Sequence, residues 1–218
     1  MKRLSLLALL WLVSCHKTQP QEHQHPRGHS FESADDYAKR WNDPTRDEWQ
    51  RPQEVISLLQ ITPGMIVADI GAGTGYFTPF LSQATGATGK VFALDVEPDM
   101  IRYLKERQQR EGWANVEAKE VKTNDPLLPT NSTHRILIVN TWHHIWEREA
   151  YSAKLVGALT SGGQLMIVDF TKESQMGPKA SEKLAAEQVS KELQSVGLST
   201  AIINETLPEQ YIVVGTKL

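Results

Sequence analysis

The sequence predicts an α/β fold: one open, doubly wound sheet, mostly parallel and closed by a C-terminal antiparallel hairpin strand. Three observations predict it. Short apolar runs alternate with segments of helical periodicity from Glu54 to Val196, the pattern that crossovers between parallel strands produce. The first apolar run, Met65 to Ile70, leads into Gly71-Ala72-Gly73-Thr74-Gly75, after which Phe77, Phe80, Leu81 and Ala84 recur at i, i+3, i+4 and i+7. Strand, glycine turn and helix therefore follow one another directly. Near the end, Thr200 to Ile203 and Tyr211 to Val214 both read as strands, with only seven residues between them. A parallel crossover needs a dozen or more, so these two form a hairpin and one runs against the sheet.

The elements follow in order. From Glu54, the residues Val55, Ile56, Leu58 and Leu59 make an amphipathic helix that Pro63-Gly64 stops. Strand one is Met65 to Ile70, and the helix after Gly75 stops near Gly86. Strand two, Lys90 to Asp95, ends in an acid. Pro98 opens the next helix at its first turn, with Met100, Ile101 and Leu104 inward and Gly112 at its end. Strand three is Asn115 to Val121. Strand four, Ile136 to Val139, is an unbroken apolar run, as expected of a strand covered on both faces. Leu155, Val156 and Leu159 are expected on a helix, Gln164 to Asp169 in strand five, and Ser181 to Val196 on a helix ended by Gly197.

Glycine spacing narrows the ligand. A dinucleotide fingerprint, G-x-G-x-x-G, would put its third glycine at position 76, which is Tyr76; here the third is Gly75. The stretch Asp69-Ile70-Gly71-Ala72-Gly73-Thr74-Gly75, with Asp95 after the second strand, resembles the D-x-G-x-G-x-G loop of the class I S-adenosylmethionine (SAM) methyltransferases, whose fold is Rossmann-like. The resemblance implies SAM as cofactor. It sets Asp69 at the methionine ammonium, through water. It lays Gly71, Gly73 and Gly75 under the methionine and ribose, and Asp95 against both ribose hydroxyls. Asn140, at the carboxyl end of strand four, is counted with these cofactor-binding residues. In that family an acid after strand three usually accepts from the adenine amino group. Here the place falls on Lys122, which cannot accept, leaving Thr123, Asn124 or Asp125 as substitutes. His134 stands where relatives often have an acid before strand four.

The chain has 218 residues, enough for one α/β domain with an extension. Its formal net charge of −3 offers no basic surface for nucleic acid, so no nucleic-acid partner is expected. Lys2 and Arg3 precede an uncharged apolar run, Leu4 to Val13. That run is too short to span a bilayer, which takes about 20 residues, and reads as a signal peptide over residues 1–14. Leu12-Val13-Ser14-Cys15 resembles a bacterial lipobox, which implies lipidation at Cys15, export, and a membrane anchor with the outer membrane or periplasmic face as destination. Cys15 is the only cysteine, so no intrachain disulfide, cysteine nucleophile or thiolate cluster is available. Residues 15–30 read as a polar tether; His16, His23, His25 and His29 lie there without acids at ligand spacing, and no metal site is assigned. Residues 31–53 form an N-terminal cap segment. Within it, Trp41-Asn42-Asp43-Pro44-Thr45-Arg46-Asp47-Glu48-Trp49-Gln50 resembles the N-terminal part of a bacterial methyltransferase group, in whose relatives such segments cover the SAM pocket. Residues 54–218 are the SAM-binding domain.

Methyl transfer from a sulfonium depends mainly on alignment. A base is needed only if the acceptor arrives protonated. Asn140-Thr141-Trp142-His143-His144 follows strand four, where this family binds the acceptor, and resembles an N-T-x-H-H stretch of the same group. His144 is the first candidate for a base and His143 the second; Asp169 reads as structural. The expected function is SAM-dependent methyl transfer to a small-molecule acceptor. The alternative is an exported, non-catalytic protein that keeps the fold to bind SAM or a nucleoside-like ligand.

Overall fold

A computed structural model describes residues 33–203 and 207–218. The expected signal peptide, Cys15 and the tether lie outside the described residues. Strands β1 (Ile66–Ile70), β2 (Lys90–Asp95), β3 (Val116–Glu120), β4 (Thr133–Val139), β5 (Leu159–Phe170), β6 (Leu198–Ile203) and β7 (Gln210–Lys217) form one seven-stranded sheet in the order β3-β2-β1-β4-β5-β7-β6. Strand β7 runs antiparallel to β5 and to β6, while the pairings among β1 to β5 are parallel. The mostly parallel sheet with its C-terminal hairpin is therefore as expected. Chain order reverses between β1 and β4, and ligands of open α/β sheets sit at the carboxyl ends of strands beside such a reversal. Ile70 pairs with Ile138 there, so Gly71 and Asn140 leave the sheet side by side.

Alternation along each strand feeds two cores. Val67, Val91, Leu137, Met166 and Val168 pack on one face with Val55, Leu59, Phe77, Leu81 and Leu104. Those partners come from helices α3 (Pro52–Leu58), α4 (Thr78–Thr85) and α5 (Pro98–Glu111) and the turns beside them. Ala68, Ile70, Ile136, Ile138 and Ile167 pack on the other with Leu155 of α6 (Arg148–Ala158) and Val189 and Leu193 of α7 (Ala186–Ser195). No helix among the described residues is long and apolar enough to cross a membrane.

The N-terminal segment is helical. Helix α1 (Ala34–Trp41) starts at Ser33, whose Oγ accepts from the Asp36 amide; Asp35 and Asp36 lie in its first turn, Lys39 and Arg40 in its last. The Ala34 amide donates to Asp99 Oδ2 of α5 at 2.7 Å, which docks α1 on the domain. A 3₁₀ turn, Pro44–Arg46, leads into the single turn α2 (Asp47–Gln50). Pro52 disfavours the helical region for its predecessor, and Arg51 takes a left-handed φ of 44° between α2 and α3.

Two boundaries differ from expectation. Leu159 opens β5 instead of ending α6; it pairs with Thr133 before a register shift in β4. The expected helix from Ser181 begins only at Ala186: residues 180–182 form a turn, Ala185 holds an extended φ,ψ, and residues 171–185 connect β5 to α7 as a strap of turns and bends. A Cβ on Gly177 would stand 2.3 Å from the Phe170 ring, so the strap lies against that ring.

Candidate cofactor and acceptor site

The glycine loop is built by its neighbours. Amides of Gly71 and Ala72 both donate to the Leu94 carbonyl, at 2.8 and 3.0 Å. Gly71 has φ +70°, and a Cβ there would sit 2.4 Å from Thr141 Oγ1 at the end of β4. The Gly73 amide donates to Asp95 Oδ2 at 2.8 Å, and the Glu97 amide donates to Asp95 Oδ1 at 3.0 Å. Asp95 thereby ties the loop to the end of β2. Arg107 of α5 donates to the carbonyls of Thr74 and Gly75 at 3.0 and 2.8 Å and closes the loop from behind.

Asp69 is buried beneath the loop, where Thr78 Oγ1 donates to its Oδ2 at 3.1 Å. Burial pushes its carboxyl up to about 7; the Asp95 charge adds to this, and the Thr78 hydrogen bond and the Arg46 guanidinium oppose it. Between its ordinary value of 3.8 and about 7, Asp69 is protonated in the folded protein and ionised in the unfolded chain. Its contribution to stability is then full below 3.8 and is lost as pH rises through about 7. Asp69→Asn, which cannot ionise, is expected to flatten the fall in stability over that window. Urea denaturation at several pH values would contradict this if both proteins lost stability in parallel.

The N-terminal segment reaches this site through side chains. The Trp41 ring lies over Gly73, where a Cβ would meet it at 3.3 Å. Thr74 Oγ1 donates to Asn42 Oδ1 at 3.1 Å. The Arg46 guanidinium stacks on the Tyr76 ring, 3.9 Å from its centroid, and donates to the Trp41 carbonyl at 2.9 Å and Gln50 Oε1 at 3.1 Å. Tyr76 Oη donates to Asp47. Arg46 as a whole is half-buried, and its Nε is buried without a hydrogen-bond partner. Burial lowers the guanidinium to about 10, so it remains charged at neutral pH. Arg46 and Asp69 carry opposite signs, and burial pushes each toward neutrality. No ion pair joins them among the described residues.

Asn140, with φ +53°, joins an amide ring. Gln50 Nε2 donates to Gln210 Oε1, Gln210 Nε2 to Asn140 Oδ1, and Asn140 Nδ2 to Gln50 Oε1. Its side chain is thus bound by α2 and β7. His143, also buried, sets Nδ1 2.8 and 2.9 Å from the two Asp169 carboxylate oxygens, and its amide donates to Asp169 Oδ2 at 3.2 Å. His144 is half-buried, its ring centroid 4.2 Å from that of His143. The structure therefore brings Asp69, Gly71, Gly73, Gly75 and Asp95 together at β1 and β2, and His143 and His144 together at β4. Asp169 and the N-terminal Arg46, Trp41 and Gln50 join them.

Where an adenine-accepting acid is expected, exposed Lys122 exchanges backbone hydrogen bonds with Asp125. Asp125 accepts from the Leu127 amide and from Lys154 Nζ, which ties it to its own turn. His134 has a structural partner: its Nδ1 accepts from the Ile66 amide at 3.0 Å. Among the described residues no cluster of three or more His, Cys, Asp or Glu could hold a metal ion.

These residues fit SAM. The methionine part of SAM carries an ammonium and a carboxylate. Asp69 would hold the ammonium, and the unpartnered Arg46 Nε is a buried donor suited to the carboxylate. Gly73 lacks the Cβ that would push away the Trp41 ring covering it, and Asp95 would receive the ribose.

Residues 67–163 match a family model described as a methyltransferase domain. The ubiquinone/menaquinone biosynthesis C-methyltransferase UbiE of Hydrogenovibrio crunogenus is 29% identical over 128 residues, covering 58% of this chain and 50% of that protein. The UbiE of Shewanella pealeana is 29% identical over 112 residues, covering 50% and 44%. The chain thus spans about half the length of these curated relatives. A SAM-dependent methyltransferase from Aquifex aeolicus superposes with a TM-score of 0.79 at 29% identity, covering 84% of this chain and 98% of that one. A Haemonchus contortus phosphoethanolamine N-methyltransferase in complex with S-adenosylhomocysteine shares the fold at 12% identity, with a TM-score of 0.63 over 85% of this chain and 60% of that one.

Proposed function

We propose that this chain is a SAM-dependent methyltransferase that transfers the SAM methyl group to a small-molecule acceptor at the carboxyl ends of β4 and β5, a reading that the methyltransferase-domain match over residues 67–163 and the likeness to the Aquifex aeolicus SAM-dependent methyltransferase support. One observation carries this reading: a glycine loop tied to Asp95 on one side of the sheet reversal, and a histidine pair held by Asp169 on the other. SAM, when bound, supplies an electrophilic methyl on a sulfonium. The protein's part is to hold the acceptor atom in line with it and to exclude water. Trp41 and Arg46 cover the loop for that purpose, and Gln50 ties Arg46 to Asn140 and Gln210. Where the acceptor arrives protonated, its proton passes to His144, the more exposed histidine. His143, fixed by Asp169, positions the turn that carries His144.

The experiment is to incubate the protein with methyl-labelled SAM and a small-metabolite extract, and to follow label into products. His144→Gln is expected to slow labelling by about 10²–10⁴-fold, the range of general-base catalysis, and to leave SAM affinity unchanged. Equal labelling by the variant would remove His144 from the mechanism. The UbiE relatives are C-methyltransferases of ubiquinone/menaquinone biosynthesis, which makes a carbon atom of a ring-bearing acceptor the first class to try. The second reading, ligand binding without transfer, is favoured by Lys122 and the engaged Asp125 at the adenine end. It predicts SAM binding with no labelled product from any extract.

We also propose that the protein is exported and anchored through a lipid on Cys15, which Leu12-Val13-Ser14-Cys15 supports. Cys15→Ala is expected to abolish incorporation of labelled fatty acid in cells. Persistent labelling of that variant would contradict the anchor.

A further inference from the structure

Lys183 is a charged side chain that the reading so far leaves without a task. It lies in the strap between β5 and α7 and is buried, 6% exposed. An ammonium has three donors. Among the described residues one acceptor meets it, the Ser174 carbonyl at 2.5 Å. No carboxylate forms an ion pair with it among the described residues. A buried cation without a counter-charge is costly to keep unless something anionic visits it.

Its surroundings are aromatic. Lys183 Nζ stands 5.9 Å from the centroid of the Phe170 ring, at the outer limit of a cation–π contact. The same ring stacks on Trp49 with centroids 6.1 Å apart. Phe170 directly follows Asp169, which holds His143 beside His144. The ammonium and the Trp49–Phe170 pair therefore share the end of β5 with the candidate acceptor site. Gly177 lets the strap close on the Phe170 ring, which brings Lys183 back to it.

We propose that Lys183, Trp49 and Phe170 form a subsite for the ionised oxygen of a flat, aromatic acceptor, a phenolate or enolate. Half-buried Trp49 takes the ring face, Phe170 backs it, and the Lys183 donors left unused among the described residues take the oxygen. An electron-rich phenolate is also the form of a ring that donates electrons to a methyl group. The assignment rests on the methyltransferase reading above.

The test uses the full chain and two chromophores of one shape, 4-nitrophenolate and the neutral 4-nitroanisole. A hydrogen bond to a charged oxygen is worth about tenfold or more in affinity. The protein is expected to bind the phenolate at least about tenfold more tightly than the anisole. Bound nitrophenol should also ionise at a lower pH than in free solution, since a neighbouring cation favours the anion. Lys183→Met is expected to abolish both effects, Lys183→Arg to keep part of them, and Lys179→Met, at an exposed position on the same strap, to keep them fully. Equal affinity for the two probes, failure of the protein to bind either, or a preference that survives in Lys183→Met would each overturn the subsite. The comparison of probes on the unaltered protein decides the matter even if Lys183→Met does not fold. SAM titration of the same samples keeps the two claims apart. Loss of SAM binding with the phenolate preference intact would sink the methyltransferase reading alone.

Discussion

Gly71→Ala is expected to destabilise the protein by about 2–4 kcal/mol and to abolish SAM binding. Two costs combine. At φ +70° a side chain meets the left-handed penalty of about 1–2 kcal/mol. The new methyl would also sit 2.4 Å from Thr141 Oγ1 and 2.9 Å from its Cβ, so backbone must move, at about 1–3 kcal/mol for overpacking. Moving this backbone breaks the two amide bonds to Leu94 that shape the loop. Gly112→Ala is the control. Gly112 has φ +71° but nothing within 4 Å of a Cβ, so it should show the backbone cost alone. Urea unfolding of both variants separates the terms. If Gly71→Ala proves no worse than Gly112→Ala, Thr141 does not constrain the loop. Thr141→Gly in the Gly71→Ala background should recover only the steric part.

Arg46→Met is expected to weaken SAM binding by about 1.5–3 kcal/mol, the worth of hydrogen bonds to a charged group, while stability changes by less than about 1 kcal/mol. The split follows from the orphaned Nε. Methionine can still lie on the Tyr76 ring, and removing an unsatisfied buried donor offsets the lost bonds to the Trp41 carbonyl and Gln50. Among the described residues Arg46 Nε is the buried cationic donor left without a partner. Calorimetry with SAM and a thermal melt give the two numbers. Unchanged affinity would show that the guanidinium serves the N-terminal segment alone. A stability loss of several kcal/mol would show that Arg46 is structural after all.

The contrast between Gly71 and Arg46 shows what the sequence could reveal. Gly71, Gly73, Gly75, Asp69 and Asp95 stand out because a strand, a turn and a helix must follow each other locally, and the chemistry is written in adjacent positions. The hairpin was legible for a similar reason: its loop is too short for any other connection. Nothing local distinguishes Arg46 from Arg40 or Arg51. Its task arises only when α1 and α2 fold onto Tyr76, 30 residues further along. The amide ring joins Gln50 to Gln210 across 160 residues and was equally invisible. Asp169 could have been paired with His143, since Asp169 lies at the end of β5 and His143 follows the end of its parallel neighbour β4. Its place inside an apolar strand made a structural reading natural. Lys183 was hidden because the residues around it have helical periodicity, whereas residues 180–182 form a turn and Lys183 is drawn to the Phe170 ring.

The measurement that bears most directly on the account is calorimetric titration of SAM, and of its demethylated product S-adenosylhomocysteine, into the full chain. The account predicts one site per chain for both ligands, with micromolar dissociation constants, and marked weakening of both in Arg46→Met. A chain that is folded by circular dichroism yet takes up neither ligand at millimolar concentration would contradict it.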